Sequence, residues 1–129
     1  GGVGAVHRGG AETMDVSADL LEMGRTPMCV VSAGVKSILD IPKTLEVLET
    51  QGVTVATMGS DIFPAFFTAN SGCKAPLRVD TVEQCAQIIH SSHKLGLQNA
   101  MLLTVPIPQH LAADGDLIQK ATNTALKEA

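Results

Sequence analysis

A chain of 129 residues, 45% hydrophobic and 17% charged, has enough apolar material for a buried core and too little charge for a disordered segment. With 3 Phe and neither Trp nor Tyr, that core must be aliphatic, and the aromatic platforms that single-stranded nucleic acids stack on are missing. A net charge of −4, with no basic run beyond two residues, lacks the electrostatic footprint of a nucleic acid polymer, but a small phosphorylated ligand needs only a few N–H groups and one or two cations.

The first ten residues, Gly1 to Gly10, are half glycine and read as a loop able to approach a ligand or another chain closely. The loop carries His7 and Arg8, which suit a phosphate contact or a proton shuttle as well as a plain surface turn. Ser17–Gly24 reads as a short helix, capped by Ser17 or Asp15 and stopped by Gly24. Met28–Ser32 (M-C-V-V-S) has the apolar, β-rich character of a strand buried on both faces, which places Cys29 in the core. Ala33-Gly34-Val35-Lys36 follows as a turn. Pro42 suits the first turn of a helix running to Gln51 and ending at Gly52.

Val53–Met58 is the next strand, and Asp61–Lys74, with all three Phe residues and several turn formers, is an irregular excursion. Whether Phe63, Phe66 and Phe67 pack in the core or at a subunit contact is open at this point. Leu77–Val79 is a short strand. Thr81-Val82-Glu83-Gln84 matches the capping box and opens a helix ending near Leu95-Gly96. Ala100–Val105 is a further strand, broken by Pro106 and Pro108, and Asp116–Ala129 is a final helix. Alternating strands and helices with short joints imply βαβ units: an α/β fold, with a mainly parallel sheet in one domain or part of one.

Cys29, Cys73 and Cys85 are odd in number and lack CxxC spacing, which fits a reducing, cytoplasmic setting without a disulfide framework or zinc knuckle. No stretch approaches the roughly 18 apolar residues of a membrane span. The chain starts at Gly1 and is still in a helical pattern at Ala129, so both ends are expected to be cut from a larger domain.

Ligands of open α/β sheets collect beyond the carboxyl ends of the strands, which ranks the candidates. Lys36 follows the strand Met28–Ser32 among small and apolar residues. Desolvation there would favour the neutral amine of Schiff-base chemistry, whereas a pair with Asp40 would make it an ordinary surface lysine. Asp15 and Asp19, four apart with Ser17 between, would share one side of a helix. They suit a hydrated Mg²⁺ or Mn²⁺, or else simple capping. The N–H groups of a helix starting near Ser17 would hold a phosphate. His90, His93 and His110 read as helix-surface or loop residues.

Longer stretches carry a resemblance. Gly1–Gly10, Thr13–Leu20 (T-M-D-V-S-A-D-L), Val30–Ile41 (V-V-S-A-G-V-K-S-I-L-D-I), Leu48–Val53 and Phe63–Thr68 are similar to the pseudouridine-5′-phosphate glycosidase family, also called indigoidine-synthesis A-like proteins. The resemblance implies a three-layer α/β/α fold, a homotrimer, and reversible cleavage of pseudouridine 5′-phosphate to uracil and ribose 5-phosphate. It also implies Lys36 as the nucleophile at C1′, Asp15 as the manganese ligand, Ser17, Ala18 and Asp19 as the substrate-binding strip, and His7 as an active-site histidine. The family's acid/base glutamate and a phosphate-site lysine come from a more N-terminal stretch, and Glu12, Glu22 and Glu46 do not match their context. A non-catalytic fragment that keeps the fold, and a Schiff-base aldolase acting on another sugar phosphate, are the competing expectations.

Overall fold

The computed structural model describes residues 1–129. Five helices and four strands follow in order: α1 (Gly10–Thr13), α2 (Ala18–Arg25), β1 (Cys29–Ser32), α3 (Ile41–Thr50), β2 (Thr54–Met58), β3 (Leu77–Val79), α4 (Val82–Lys94), β4 (Met101–Thr104) and α5 (Gly115–Glu128). A single 3₁₀ turn, Gln109–Leu111, precedes α5. All four strands are parallel in one sheet of order β1-β4-β2-β3. The alternation of strand and helix in the sequence produces this arrangement, because parallel neighbours need long crossovers.

The helix starts follow from side-chain caps. Ser17 accepts from the Asp19 N–H to open α2, and Asp40 accepts from the Lys43 N–H to open α3, with Pro42 in the first turn. Thr81 and Gln84 form the reciprocal capping box of α4. Gly24, read as a helix stop, lies inside α2 instead. A Cβ there would sit 2.9 Å from Gln51 Oε1 and 3.1 Å from its backbone oxygen, so this glycine allows α2 to approach the end of α3. The short helix α1 was not foreseen in the glycine-rich segment; it is closed off at Met14, whose φ is 59°.

Each face of the sheet has its own cluster. On one face Val55 and Leu102 pack against Leu20 and Met23 of α2 and Leu48 of α3. On the other, Ala56, Val79, Met101 and Leu103 pack against Cys85 and Ile88 of α4. Helices therefore flank the sheet on both sides, the three-layer α/β/α arrangement.

The second face is covered unevenly, and that corrects the reading of β1. β1 is an edge strand; Val31 is 62% exposed and Cys29 is exposed rather than in the core. The apolar run is real, but α4 packs over the strands at the opposite end of the sheet. Cys29 lines a groove of about 530 Å³ with Met28, Thr54, Ile89, His93 and Met101. Partial burial there, and secondarily the charge of Cys85, pushes its thiol pKa up. At the other end of the chain, α5 has no buried residue, and Leu117 is 66% exposed.

Toward the carboxyl ends of the strands the first face turns from aliphatic to hydroxyl. Ser32 is registered beside Thr104, and Thr104 beside Thr57, all three buried. The Thr57 and Thr104 hydroxyls are 2.7 Å apart, and Thr104 Oγ1 also donates to the Ala56 carbonyl at 3.2 Å. Thr104→Val strands the Thr57 hydroxyl in the core and is expected to cost about 1–3 kcal/mol. The double variant Thr57→Val/Thr104→Val removes both partners and is expected to recover most of that loss. Urea unfolding of the two variants beside the parent measures the difference, and an equally unstable double variant would contradict the account.

Candidate active site

The candidate residues come from three segments beyond the carboxyl end of β1, and one short stretch ties them together. Val6 forms antiparallel bridges to Val16 on one side and Asp40 on the other. Its N–H donates to Thr44 Oγ1 at 3.0 Å, and its carbonyl accepts from the Asp40 N–H at 2.9 Å. Next to it, the His7 N–H donates to the Asp15 carbonyl at 3.0 Å, and the Ser17 N–H donates to the Ala5 carbonyl at 3.1 Å. Residues 5–7 thus run between the Asp15–Ser17 stretch and the loop that follows Lys36.

That pairing brings His7 and Asp15 side by side, with His7 Nδ1 3.7 Å from Asp15 Oδ2 and both side chains more than half exposed. Asp15 lies before α2, outside any helix, so it does not share a helical turn with Asp19 as their spacing had implied. The carboxylate of Asp19 turns to the glycine segment and accepts from the Gly4 N–H at 2.8 Å. Ser17 is the cap of α2, as its position implied, and Ala18 is exposed at the helix start. A side chain at Gly4 would have to push its neighbours aside: a Cβ there would overlap Ser17 Oγ and come within 2.5 Å of Asp19 Oδ2.

Lys36 sits on a loop whose course is fixed at several points. The turn out of β1 needs Gly34, with φ 96° and with Pro64's carbonyl occupying the space a Cβ would fill. The Gly34 carbonyl accepts from the Val3 N–H at 3.2 Å. Arg8 donates from Nη2 to the Ser37 carbonyl at 2.8 Å and from Nε to the Ile38 carbonyl at 2.9 Å. The guanidinium proposed as a phosphate contact is therefore a clamp on the Lys36 loop.

The side chain of Lys36 is exposed, contrary to the burial expected from its small and apolar neighbours. Val35 and Ser37 both turn inward and are buried, which directs the residue between them outward. The alternative pairing with Asp40 does not form either. Asp40 caps α3 and lies 2.8 Å from Lys43 Nζ, and that hydrogen bond, more than the burial that opposes it, holds the Asp40 pKa below the usual carboxylate range. Lys36 Nζ instead lies over the ring of Phe66, 5.4 Å from its centre. Phe66 was not singled out in the sequence, where three phenylalanines stand in one irregular segment. The structure separates them: Phe63 is fully buried, Phe66 half-buried beside Lys36, and Phe67 46% exposed.

The donors on this rim include no group of three His, Cys, Asp or Glu side chains able to enclose a metal. Asp15 with its neighbour His7 suits at most a hydrated hard cation that keeps waters and phosphate oxygens in its shell. A polar cleft of about 260 Å³ adjoins the loop, lined by Arg8, Ser37, Asp40, Asn70, Ser71 and Gln119 among others. The larger groove around Cys29 lies at the amino ends of the strands and shares no residue with this rim.

The whole chain, residues 1–129, matches the family described as indigoidine synthase A like protein. The chain belongs to this family. It is 59% identical over its whole length to a pseudouridine-5′-phosphate glycosidase of Arabidopsis thaliana, covering 39% of that protein. It is 50% identical, again over its whole length, to a glycosidase of the same name from Clostridium botulinum, covering 42% of it. Among solved structures, the prealnumycin C-glycosynthase AlnA in complex with ribulose 5-phosphate superposes with a TM-score of 0.93 at 37% identity, over 98% of this chain and 42% of AlnA. An indigoidine synthase A-like protein of Thermotoga maritima gives 0.85 at 35% identity, over 95% of this chain and 41% of that one. The chain spans about two fifths of the length of these relatives.

Two substitutions test how the rim is held. Asp40→Ala is expected to cost about 1 kcal/mol at pH 7, from the lost cap of α3. A carboxyl whose folded pKa is lowered stabilises the fold above its unfolded pKa and loses that contribution as pH falls through the folded value. The gap between Asp40→Ala and the parent is therefore expected to close below about pH 4, read by urea unfolding across pH. Gly4→Ala is expected to displace Ser17 and Asp19 while leaving the sheet intact. Changed amide shifts around residues 17–19, with those of β2 and β4 unmoved, would bear this out.

Proposed function

We propose that this chain carries the nucleophile and metal corner of a pseudouridine-5′-phosphate glycosidase, acting on a small phosphorylated nucleoside. The observation that carries the reading is the match, at 59% identity over every residue, to a protein of that activity, on a chain whose residues 3–8 tie the Lys36 loop to His7, Asp15, Ser17 and Asp19. The likeness to AlnA, solved with ribulose 5-phosphate, supports a pentose phosphate as the sugar half of the substrate.

A C–C glycosidic bond offers no leaving heteroatom to protonate, so cleavage needs an electron sink at C1′. In this reading the amine of Lys36 displaces the ring oxygen from C1′, and that oxygen leaves as the 4′-hydroxyl after taking a proton. The nitrogen lone pair then expels uracil, whose C5 takes up a proton, and a C=N⁺ bond remains at C1′. Water hydrolyses it to ribose 5-phosphate and returns the amine. His7 is this chain's own group for moving a proton on the rim. Ser17, Ala18 and Asp19 stand at the start of α2; the Ser17 and Asp19 N–H groups are taken by the Ala5 carbonyl and Ser17 Oγ, so in this reading the Ser17 hydroxyl and the Ala18 N–H orient the substrate.

Asp15 would hold a manganese or similar divalent ion, with His7 beside it, and the ion when bound would neutralise phosphate charge. Homotrimer assembly and a cytoplasmic setting belong to the same reading. No helix is long and apolar enough to cross a membrane.

The exposed Lys36 supports a second reading, in which the chain keeps the fold without turnover. Incubation with ribose 5-phosphate and borohydride separates the two. The experiment uses the chain alone and a chimera completed with the flanking segments of the Arabidopsis relative. A reduced adduct mapped to Lys36 by mass spectrometry, and absent in Lys36→Arg, is expected for the completed protein. Labelling at another lysine, or none in the chimera, would refute the assignment. An adduct in the chimera but not in the chain alone would establish the second reading for this chain. Release of uracil rather than an aldehyde fragment distinguishes the glycosidase from a Schiff-base aldolase.

A further inference from the structure

The contact between Lys36 and Phe66 belongs to none of the roles above, and three features of Phe66 set it apart. Its backbone has φ 67°, a left-handed conformation that a bulky residue other than glycine rarely adopts. That conformation is imposed from both sides. The Phe66 N–H donates to the Ala33 carbonyl at 3.1 Å, on the turn leading to Lys36, and the bridge between Gly34 and Ala65 holds the two segments together. The ring is closely packed as well: a Cβ on Gly2 would lie 3.0 Å from its Cδ2 and would press the ring aside by a few tenths of an ångström. On its other flank the Phe67 ring meets it edge-on, with centres 4.6 Å apart.

A strained backbone, a glycine packed against the ring and an aromatic neighbour all serve to aim one ring face, and Lys36 Nζ lies over it. The geometry points to Phe66 as a positioning residue for the amine of Lys36, an inference that rests on the reading of Lys36 as the nucleophile. An exposed lysine has four rotatable bonds and spreads its amine over many positions, a freedom that must be lost before it attacks one carbon. An aromatic face within about 6 Å attracts the cation and restricts that spread. When the amine adds to the C1 aldehyde of open-chain ribose 5-phosphate, the hydroxyl leaves as water with one proton and a C=N⁺ bond forms. The nitrogen carries a positive charge again, and the same ring holds it.

The test compares Phe66→Leu, which keeps apolar bulk without the ring, with Phe66→Tyr, which keeps the ring. The completed chimera is used for chemistry and the chain itself for the contact. In the chain, the ε-methylene protons of Lys36 are expected to be shifted upfield by the ring current, and the shift is expected to vanish in Phe66→Leu and persist in Phe66→Tyr. In the chimera, the rate of borohydride-trapped adduct formation on Lys36 is expected to fall roughly three- to thirtyfold in Phe66→Leu and to stay within about twofold in Phe66→Tyr. Equal rates for Phe66→Leu and the parent would overturn the proposal, and so would an equal fall in both variants, which marks a structural role alone. If the parent chimera forms no adduct on Lys36, the nucleophile reading fails and this role fails with it. A parent that forms the adduct but shows no ring-current shift refutes the positioning role alone.

Discussion

The candidate site depends on one short stretch of backbone satisfying two neighbours at once. Val6 is buried, and both its polar backbone groups are engaged: the N–H by Thr44 of α3 and the carbonyl by Asp40 at the start of the same helix. Flanking residues pair with the Asp15–Ser17 segment through the Ala5 carbonyl and the His7 N–H. A buried peptide group left without a partner is costly, so these bonds fix the register of the whole segment. Once it is fixed, His7 must face Asp15, Gly4 must lie against Ser17 and Asp19, and Arg8 must fall within reach of the Lys36 loop. The site is therefore assembled by main-chain pairing rather than by attraction between its own functional groups.

This explains why the site was legible in the sequence only as a set of names. Residue types and their place after β1 directed attention to Lys36, while the pairing that joins it to His7 and Asp15 spans some thirty residues and leaves no local pattern. The helix starts were far more readable, because a start is a local event: Ser17, Pro42 and the Thr81–Gln84 box each announce one within four residues, although the cap that Asp40 provides beside Pro42 was read instead as a possible partner for Lys36. Strands β2, β3 and β4 were placed within a residue or two for a similar reason, since short apolar runs between turn formers leave few alternatives.

The misreadings share one cause, which is that burial depends on neighbours distant in sequence. The run Met28–Ser32 has the composition of a central strand, yet β1 stands at the sheet edge with Cys29 and Val31 uncovered. Gly24 has the look of a helix terminator, and its function is to let Gln51 come close. Lys36 stands among small and apolar residues, and alternation sends Val35 and Ser37 inward and the lysine, like Ile38, outward. In each instance the local signal was correct about chemistry and silent about which side of the chain would meet protein.

The exposure of Lys36 also limits what its aromatic neighbour does. The face of Phe66 attracts any cation placed over it, so the ammonium before reaction and the C=N⁺ nitrogen afterwards gain alike. An interaction equal in both states shifts no equilibrium between them. What the ring contributes is location, because it confines an amine on a four-carbon stem to one place before the sugar arrives. The carboxylates nearby reinforce that division of labour: Asp40 is occupied by Lys43 and Asp19 by the Gly4 N–H, and none forms an ion pair with Lys36. A carboxylate partner would also have held the amine still, but through a charge pair that must break before nitrogen can attack. The ring's attraction also lapses when the ammonium gives up its proton to attack, but it is weaker than a charge pair and leaves less to overcome, which gives a physical reason for accepting a strained backbone at Phe66.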